Sequence, residues 1–180
     1  MLLSALSLLR QPTRVLELGC GAGVDTLEML RQGHLVEAVD ASVESVRITR
    51  ERVAAAGLAE QLTLRHESFE TLSVEPGAYG LIFARFSLPF CEPDSFGAFW
   101  RQLEGGLAPG GLASFQLFGA NDAWATQADG PPLTFHTAAE VGARLSRLTV
   151  RSLKEEEGVK PMACGGDKYW HIFHVLAALE

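Results

Sequence analysis

The residues best suited to chemistry lie near the start of the chain: Glu17-Leu18-Gly19-Cys20-Gly21-Ala22-Gly23, with Asp40 twenty-one residues beyond the first glycine. Three glycines at alternate positions let a backbone turn sharply and come close to a ligand. Between a strand and a helix, such a loop also presents the free N–H groups of the helix start. An acid at the end of the following strand accepts hydrogen bonds from both hydroxyls of a ribose. The spacing is not that of the dinucleotide fingerprint G-x-G-x-x-G, because the third glycine comes one residue early and Val24 stands where Gly or Ala is wanted. A nicotinamide cofactor is disfavoured on that ground. No Lys-Ser or Lys-Thr pair follows, so the loop is not a phosphate-gripping P-loop. The plain alternative is a tight turn without a ligand, with Asp40 a solvated strand-end acid.

A general base near neutral pKa is most naturally a histidine, and His136, His171 and His174 are the candidates. His136 adjoins an aperiodic segment at residues 119–136 and is the first choice. His171 and His174 have opposite parity in a strand-like run, so they face opposite sides, and each reads first as a packed, hydrogen-bonded residue. Arg85 is either a clamp for an anionic group or an ordinary ion-paired arginine. Phe86, Phe90 and Trp124 are pocket walls or plain core. Cys20, Cys91 and Cys164 are scattered without a CxxC pair, which fits a reducing cytoplasm, and no metal site is expected.

These residues need elements to position them. Arg14–Leu18 reads as a buried strand ending in the glycines, followed by a helix from about Val24 with Leu27 and Leu30 inward and Gly33 as its stop. A second strand at 35–39 delivers Asp40. Ser42 caps a helix whose inner face is Val43, Val46, Arg50 and Val53. Residues 62–65 and Tyr79–Ala84 are strand-like. Phe96, Phe99, Trp100 and Leu103 have the spacing of one buried helical face. Pro109-Gly110-Gly111 turns into a strand at 112–118, Thr137 and Glu140 form a capping box opening a helix to about Leu148, and strands close the chain at 148–153 and 169–177. The first ten residues read as a short amphipathic helix. Alternation of this kind specifies an α/β, doubly wound, mostly parallel sheet covered on both faces, with 1–180 as one domain.

The composition is that of a soluble protein: 47% apolar, 21% charged, with 15 Lys and Arg against 22 Asp and Glu for a net charge of −7. An acidic chain without a basic cluster is a poor nucleic-acid partner, and the segment after the fourth strand, Arg85-Phe86-Ser87-Leu88-Pro89-Phe90, lacks the N/D-P-P-Y-like motif that grips a flipped base. No apolar run is long enough to span a membrane. The acceptor of any group transfer is expected to be a small molecule, and the protein a monomer or homodimer.

Glu17 to Gly23 with Asp40, then A-Y-G-L-I-F-A-R, then L-A-P-G-G-L-A-S-F, together resemble the successive motifs of the class I S-adenosylmethionine-dependent methyltransferases. F-S-L-P-F-C and W-H-I-F-H-V add a resemblance to small bacterial methyltransferases of the tellurite-resistance type. The resemblance implies a seven-stranded Rossmann-like sheet of order 3-2-1-4-5-7-6, its last strand antiparallel, and S-adenosyl-L-methionine as cofactor. It implies Glu17, Gly19, Cys20, Gly21 and Gly23 around the methionine end, joined by Ala84 and Arg85 leaving the fourth strand. Asp40 would hold the ribose, Ala41 would lie against the adenine, and Ser68 and the Phe69 backbone would meet its polar edge, with Glu67 a one-residue alternative. Two positions depart from the family: Ser68 replaces an acid, and Gly80 stands where the fourth strand starts with Asp. A catalytically silent cofactor-binding or scaffold protein is the alternative function.

Overall fold

The computed structural model describes residues 1–127, 132–162 and 165–180. Its helices are α1 (Leu2–Leu6), α2 (Val24–Arg31), α3 (Val43–Ala55), α4 (Pro93–Gly106) and α5 (Ala138–Arg144). Its strands are β1 (Arg14–Leu18), β2 (Leu35–Asp40), β3 (Leu62–His66), β4 (Tyr79–Ala84), β5 (Leu107–Gly119), β6 (Phe135–His136), β7 (Thr149–Pro161) and β8 (Asp167–Ala178). The sheet order is β3-β2-β1-β4-β5-β8-β7, with the two-residue β6 paired to the end of β5. Leaving β6 aside, this is the order the family resemblance implies, and β8 is antiparallel to both neighbours. Among the described residues no helix is long and apolar enough to cross a membrane.

Strand parity divides the core in two. Leu16, Leu18, Ile82, Ala84, Ala113, Phe115 and Phe173 face α4, whose Phe96, Phe99, Trp100 and Leu103 are all buried as their spacing predicts. Val15, Val36, Ala38, Leu81 and Phe83 face the opposite layer, where α1, α2 and α3 supply Leu6, Met29, Leu30 and Val53. The layer over that second face stops short. Gln116 and Phe118 on β5, and Trp170, Ile172 and His174 on β8, share it by strand parity, and only His174 among them lines a cavity with Ser4 of α1.

Several expectations shift by a turn or a strand end. In α2 the buried residues are Thr26, Met29 and Leu30, with Leu27 half-buried. In α3, Thr49 takes the inner place expected for Arg50, and Val43, the first helical residue, is 67% exposed because the turn below it does not yet face the sheet. Pro109-Gly110-Gly111 does not precede β5 but lies within it. Gly110 takes φ +76°, and the pairing with β4 slips between Tyr79 and Leu81, so the turn is absorbed as a bulge. The last strand matches 169–177 to within two residues at either end, but β7 runs far beyond 148–153, because Lys154-Glu155-Glu156-Glu157 is extended despite its charge and pairs with β8 throughout. The capping box is present: Thr137 Oγ1 accepts from the Glu140 N–H, and the Glu140 carboxylate accepts from the Thr137 N–H at 2.7 Å.

Gly80 has a local cause. A Cβ built there would stand 2.1 Å from Thr13 Oγ1, so no side chain fits where β4 passes the segment entering β1. Gly80→Asp is expected to lower stability by about 1–3 kcal/mol, the usual cost of overpacking, and adding Thr13→Gly to recover part of it, both read from denaturant unfolding midpoints.

Candidate functional site

At the carboxyl ends of β1 and β4, where the strand order reverses, an open α/β sheet leaves a crevice. The glycine loop crosses it. Gly19, Gly21 and Gly23 all take positive φ (75°, 53° and 71°), but for different reasons. A Cβ on Gly19 would lie 2.4 Å from Ser87 Cβ, and one on Gly23 would lie 2.7 Å from Thr49 Oγ1. These two glycines therefore let neighbouring elements close on the loop. A Cβ on Gly21 would meet nothing within 4 Å, so its bare side faces the crevice. Ser87 Oγ donates to the Leu18 carbonyl at 2.5 Å, and Thr49 Oγ1 donates to the Gly21 carbonyl at 3.0 Å, fixing the loop from both sides.

Asp40 is held from the loop as well. Its Oδ2 accepts from the Gly21 N–H (2.8 Å) and its Oδ1 from the Ser42 N–H (2.9 Å), so each oxygen is oriented and keeps a lone pair for a hydroxyl. With Gly19, Gly21, Ala41, Ser68, Phe69 and Arg85, Asp40 lines a cleft of about 450 Å³, ample for a nucleoside. Glu67 lines it too, so both registers considered for the adenine edge reach the same wall. Phe69 is braced from behind by Phe99, the rings 5.1 Å apart. The sequence reading did not single out Glu70 or Ser87, which complete the lining. Neither carries a motif signal, since each is placed only by the turn it follows.

Glu17, Cys20, Gly23 and Ala84 lie below this surface. Glu17 is 2% exposed, accepts a hydrogen bond from Thr26 Oγ1, and is pushed up to about 8, chiefly by burial, with Asp25 and Asp40 adding to the shift and Arg85 opposing it. Arg85 is tied to Asp25, Nε to Oδ2 2.9 Å. Ala84 packs its methyl group in the core beside Leu18 and Leu88. Cys20 is buried with its thiol pushed up to about 12, an inert filler rather than a nucleophile. Cys164, and Gly130 and Pro131 of the segment 119–136, lie outside the described residues.

A second cavity of about 510 Å³ opens beside the first, on the uncovered face of β5 and β8. Phe86 and Phe90 line both, 40% and 50% exposed, and are the only residues the two linings share among those described. Phe86 takes φ 54°, the one non-glycine left-handed backbone among the described residues, at the join between the cavities. Strained backbone of this kind concentrates at functional sites. Phe118, Trp124, Met162, Trp170 and Ile172 form most of the remaining wall, with Glu156, Lys160 and His174 at its polar side. Trp124 thus reaches the cavity from the segment 119–136, and Trp170 reaches it from the strand expected at 169–177, although its side chain was not singled out as a site residue.

His136 reaches neither cavity. It is 2% exposed, its ring lies 4.8 Å from Phe96, and burial pushes it down to about 4, far from the value that suits a base at neutral pH. The cause is β6, which turns the end of the supposed loop back into the sheet beside Gly119. His171 and His174 do point to opposite faces. His171 Nδ1 accepts the Asn121 N–H (3.1 Å), so its proton sits on Nε2 and is given to Glu155 (2.9 Å). Glu155, Glu157 and His171 lie within metal-binding reach of one another, but a cation at Nε2 would have to displace that proton toward a nitrogen already facing an N–H.

The sequence profile of a family described as a methyltransferase domain matches residues 15–111. No curated protein matches the chain by sequence. Solved structures match in fold. TehB from Haemophilus influenzae superposes with TM-score 0.83 at 17% identity over 99% of this chain, which spans only 61% of the TehB chain. A SAM-dependent methyltransferase from Methanosarcina mazei gives 0.71 at 18%, covering 97% of both chains. The Burkholderia thailandensis 1,6-didemethyltoxoflavin-N1-methyltransferase, with 1,6-didemethyltoxoflavin and S-adenosylhomocysteine bound, gives 0.70 at 20%, covering 99% of this chain and 76% of that one.

The raised Glu17 carboxyl makes the ligand-free protein pH-sensitive. The folded state holds a proton that the unfolded chain releases above about pH 4.5, so this contribution is complete below that pH and is lost progressively toward pH 8. Glu17→Gln is expected to flatten the dependence. At pH 8 its melting temperature should exceed that of the wild type by about 3 °C or more, the shift that ~1 kcal/mol gives in a chain of this size, with the difference vanishing near pH 4.5.

Proposed function

The chain belongs to the methyltransferase-domain family, and we propose that it transfers a methyl group from S-adenosylmethionine to a small-molecule acceptor held in the aromatic cavity beside the cleft. S-adenosylmethionine is the cofactor, and when bound it supplies a methyl carbon already activated by its sulfonium. The protein then has to orient the two partners and exclude water.

The cleft fits that cofactor. Asp40 keeps one lone pair on each oxygen for the ribose hydroxyls. Gly21 leaves space where any side chain would intrude. In this reading Ala41 lies against the adenine, Ser68 and the Phe69 backbone meet its edge, and Gly19, Cys20, Gly21 and Gly23 wrap the methionine end together with the backbone of Ala84 and Arg85. Glu17 sits beneath that end as a buried, protonatable group. His136 has no part in it, because its buried ring lines neither cavity.

The observation that carries the acceptor assignment is the junction at Phe86 and Phe90, which places a largely apolar cavity directly against the cofactor cleft. Its size and aromatic lining suit a small molecule. The same reading has 1–180 as one domain, a monomer or homodimer in the cytoplasm, with no nucleic-acid partner. Calorimetry is expected to give binding of S-adenosylhomocysteine and none of NAD, and a labelled methyl group should pass from the cofactor to a member of a metabolite panel. Binding without any transfer would favour the silent scaffold instead.

Asp40→Ala removes two charge-assisted hydrogen bonds, each worth roughly 1.5–3 kcal/mol. S-adenosylhomocysteine affinity is expected to fall at least tenfold while the far-ultraviolet circular dichroism stays that of the wild type. An unchanged dissociation constant would place the ribose elsewhere.

A further inference from the structure

The charges around the aromatic cavity are arranged in closed sets. Lys160, on the wall, is paired with Glu156, and the same carboxylate takes Lys154. Two ammonium groups hold Glu156 down to about 2, so it stays ionised and committed. Behind the wall, Lys168 is paired with Asp122, their side chains 2% and 0% exposed. Its Nζ lies 3.6 Å from the Trp124 ring centre and 3.9 Å from that of Trp170, so both rings already serve a cation of the protein's own. Arg85, near the join, is paired with Asp25.

His174 adds no charge. Gln116 Oε1 accepts the Phe86 N–H (3.0 Å), which turns the amide nitrogen toward His174 Nδ1 at 3.3 Å. That nitrogen is thereby an acceptor, the ring carries its proton on Nε2, and burial lowers its affinity for a second. An anion entering the cavity finds each described cation on its wall already engaged. A cation meets indoles polarised by Lys168 and the ammonium of Lys160.

Resting on the methyltransferase reading, we propose that the acceptor cavity selects an uncharged, flat aromatic molecule, which lies in the angle between the tilted rings of Phe86 and Trp170, facing one and meeting the other at its edge, and is discriminated from charged analogues of the same shape by the Lys154–Glu156–Lys160 and Lys168–Asp122 sets. A neutral aromatic ring loses little on leaving water and gains the ring contacts of the wall, whereas an ion of the same shape gives up hydration that no unpaired opposite charge of the described wall replaces.

The test uses three bicyclic probes of similar shape, titrated calorimetrically at pH 7.5 into the S-adenosylhomocysteine-loaded protein: neutral quinoline, anionic 1-naphthoate and cationic N-methylquinolinium. Quinoline is expected to bind at least tenfold more tightly than either ion, and Trp170→Ala to weaken it at least tenfold. Glu156→Gln releases two lysines and is expected to strengthen 1-naphthoate at least fivefold. An ion that matches or exceeds quinoline, an absence of quinoline binding, quinoline binding unaffected by Trp170→Ala, or naphthoate indifferent to Glu156→Gln would each overturn the proposal. The wild-type series decides the matter even if a variant fails to fold. Failure of S-adenosylhomocysteine to bind would count against the cofactor cleft alone, since the same probes titrated into the unloaded protein still read the cavity.

Discussion

The contact between Gly19 and Ser87 is the constraint on which the site depends. The first glycine loop and the turn leaving β4 compete for one volume, and they share it only because residue 19 has no Cβ. Ser87 then donates to the Leu18 carbonyl, closing the end of β1 against the end of β4. The same closure leaves Phe86 in a left-handed backbone, with its N–H taken by Gln116 of β5. Three neighbouring strands, β1, β4 and β5, are thus locked at their carboxyl ends by two hydrogen bonds and one missing methyl group. The cleft lined by Asp40 lies on one side of this lock and the aromatic cavity on the other.

The aromatic cavity exists because the second half of the sheet is unevenly covered. No helix lies over Gln116, Phe118 and Ile172 among the described residues; they are buried instead beneath aromatic side chains, with Phe86, Trp124 and Trp170 around Phe118. Open apolar surface needs support, and here the support is a buried ion pair. Lys168 and Asp122 cost several kcal/mol to desolvate, so their worth lies in fixing geometry more than in net stability. Asp122 also accepts the N–H groups of Trp124 (3.0 Å) and His171 (3.1 Å), which ties the loop after β5 to the middle of β8. The indoles of Trp124 and Trp170 are held 5.6 Å apart around the ammonium.

What could be read in advance follows from the range of the interactions involved. The glycine loop, Asp40, the buried face of α4 and the Thr137–Glu140 capping box are all encoded within a few residues, and each stands where its local pattern puts it. The helical faces of α2 and α3 slip by a residue because Thr26 and Thr49 are buried for polar reasons, one on Glu17 and one on the Gly21 carbonyl, which apolar periodicity does not register. The hairpin was legible in its second strand but only at the start of its first. Lys154-Glu155-Glu156-Glu157 has neither alternation nor β propensity, and it is extended because β8 offers a partner along its whole length. With the far half of β7 went Glu156 and Lys160, at the polar side of the second cavity.

The histidines show why residue type alone underdetermines chemistry. Adjacency to an aperiodic segment favoured His136, yet two residues of pairing with β5 suffice to turn that ring into the core. His174, in the middle of a strand and first read as packing, is the histidine on the cavity wall. Even there its role is set from outside. The Phe86 backbone orients the Gln116 amide, the amide consumes the Nδ1 lone pair, and the ring is left neutral with its proton on Nε2. A side chain that suggests a base by its identity is thereby one that cannot accept a proton at that nitrogen without breaking the contact that holds Phe86 at the join. In the proposed reading, methyl transfer consequently relies on an acceptor atom with its own lone pair available, because His174 Nδ1 is already taken by the Gln116 amide.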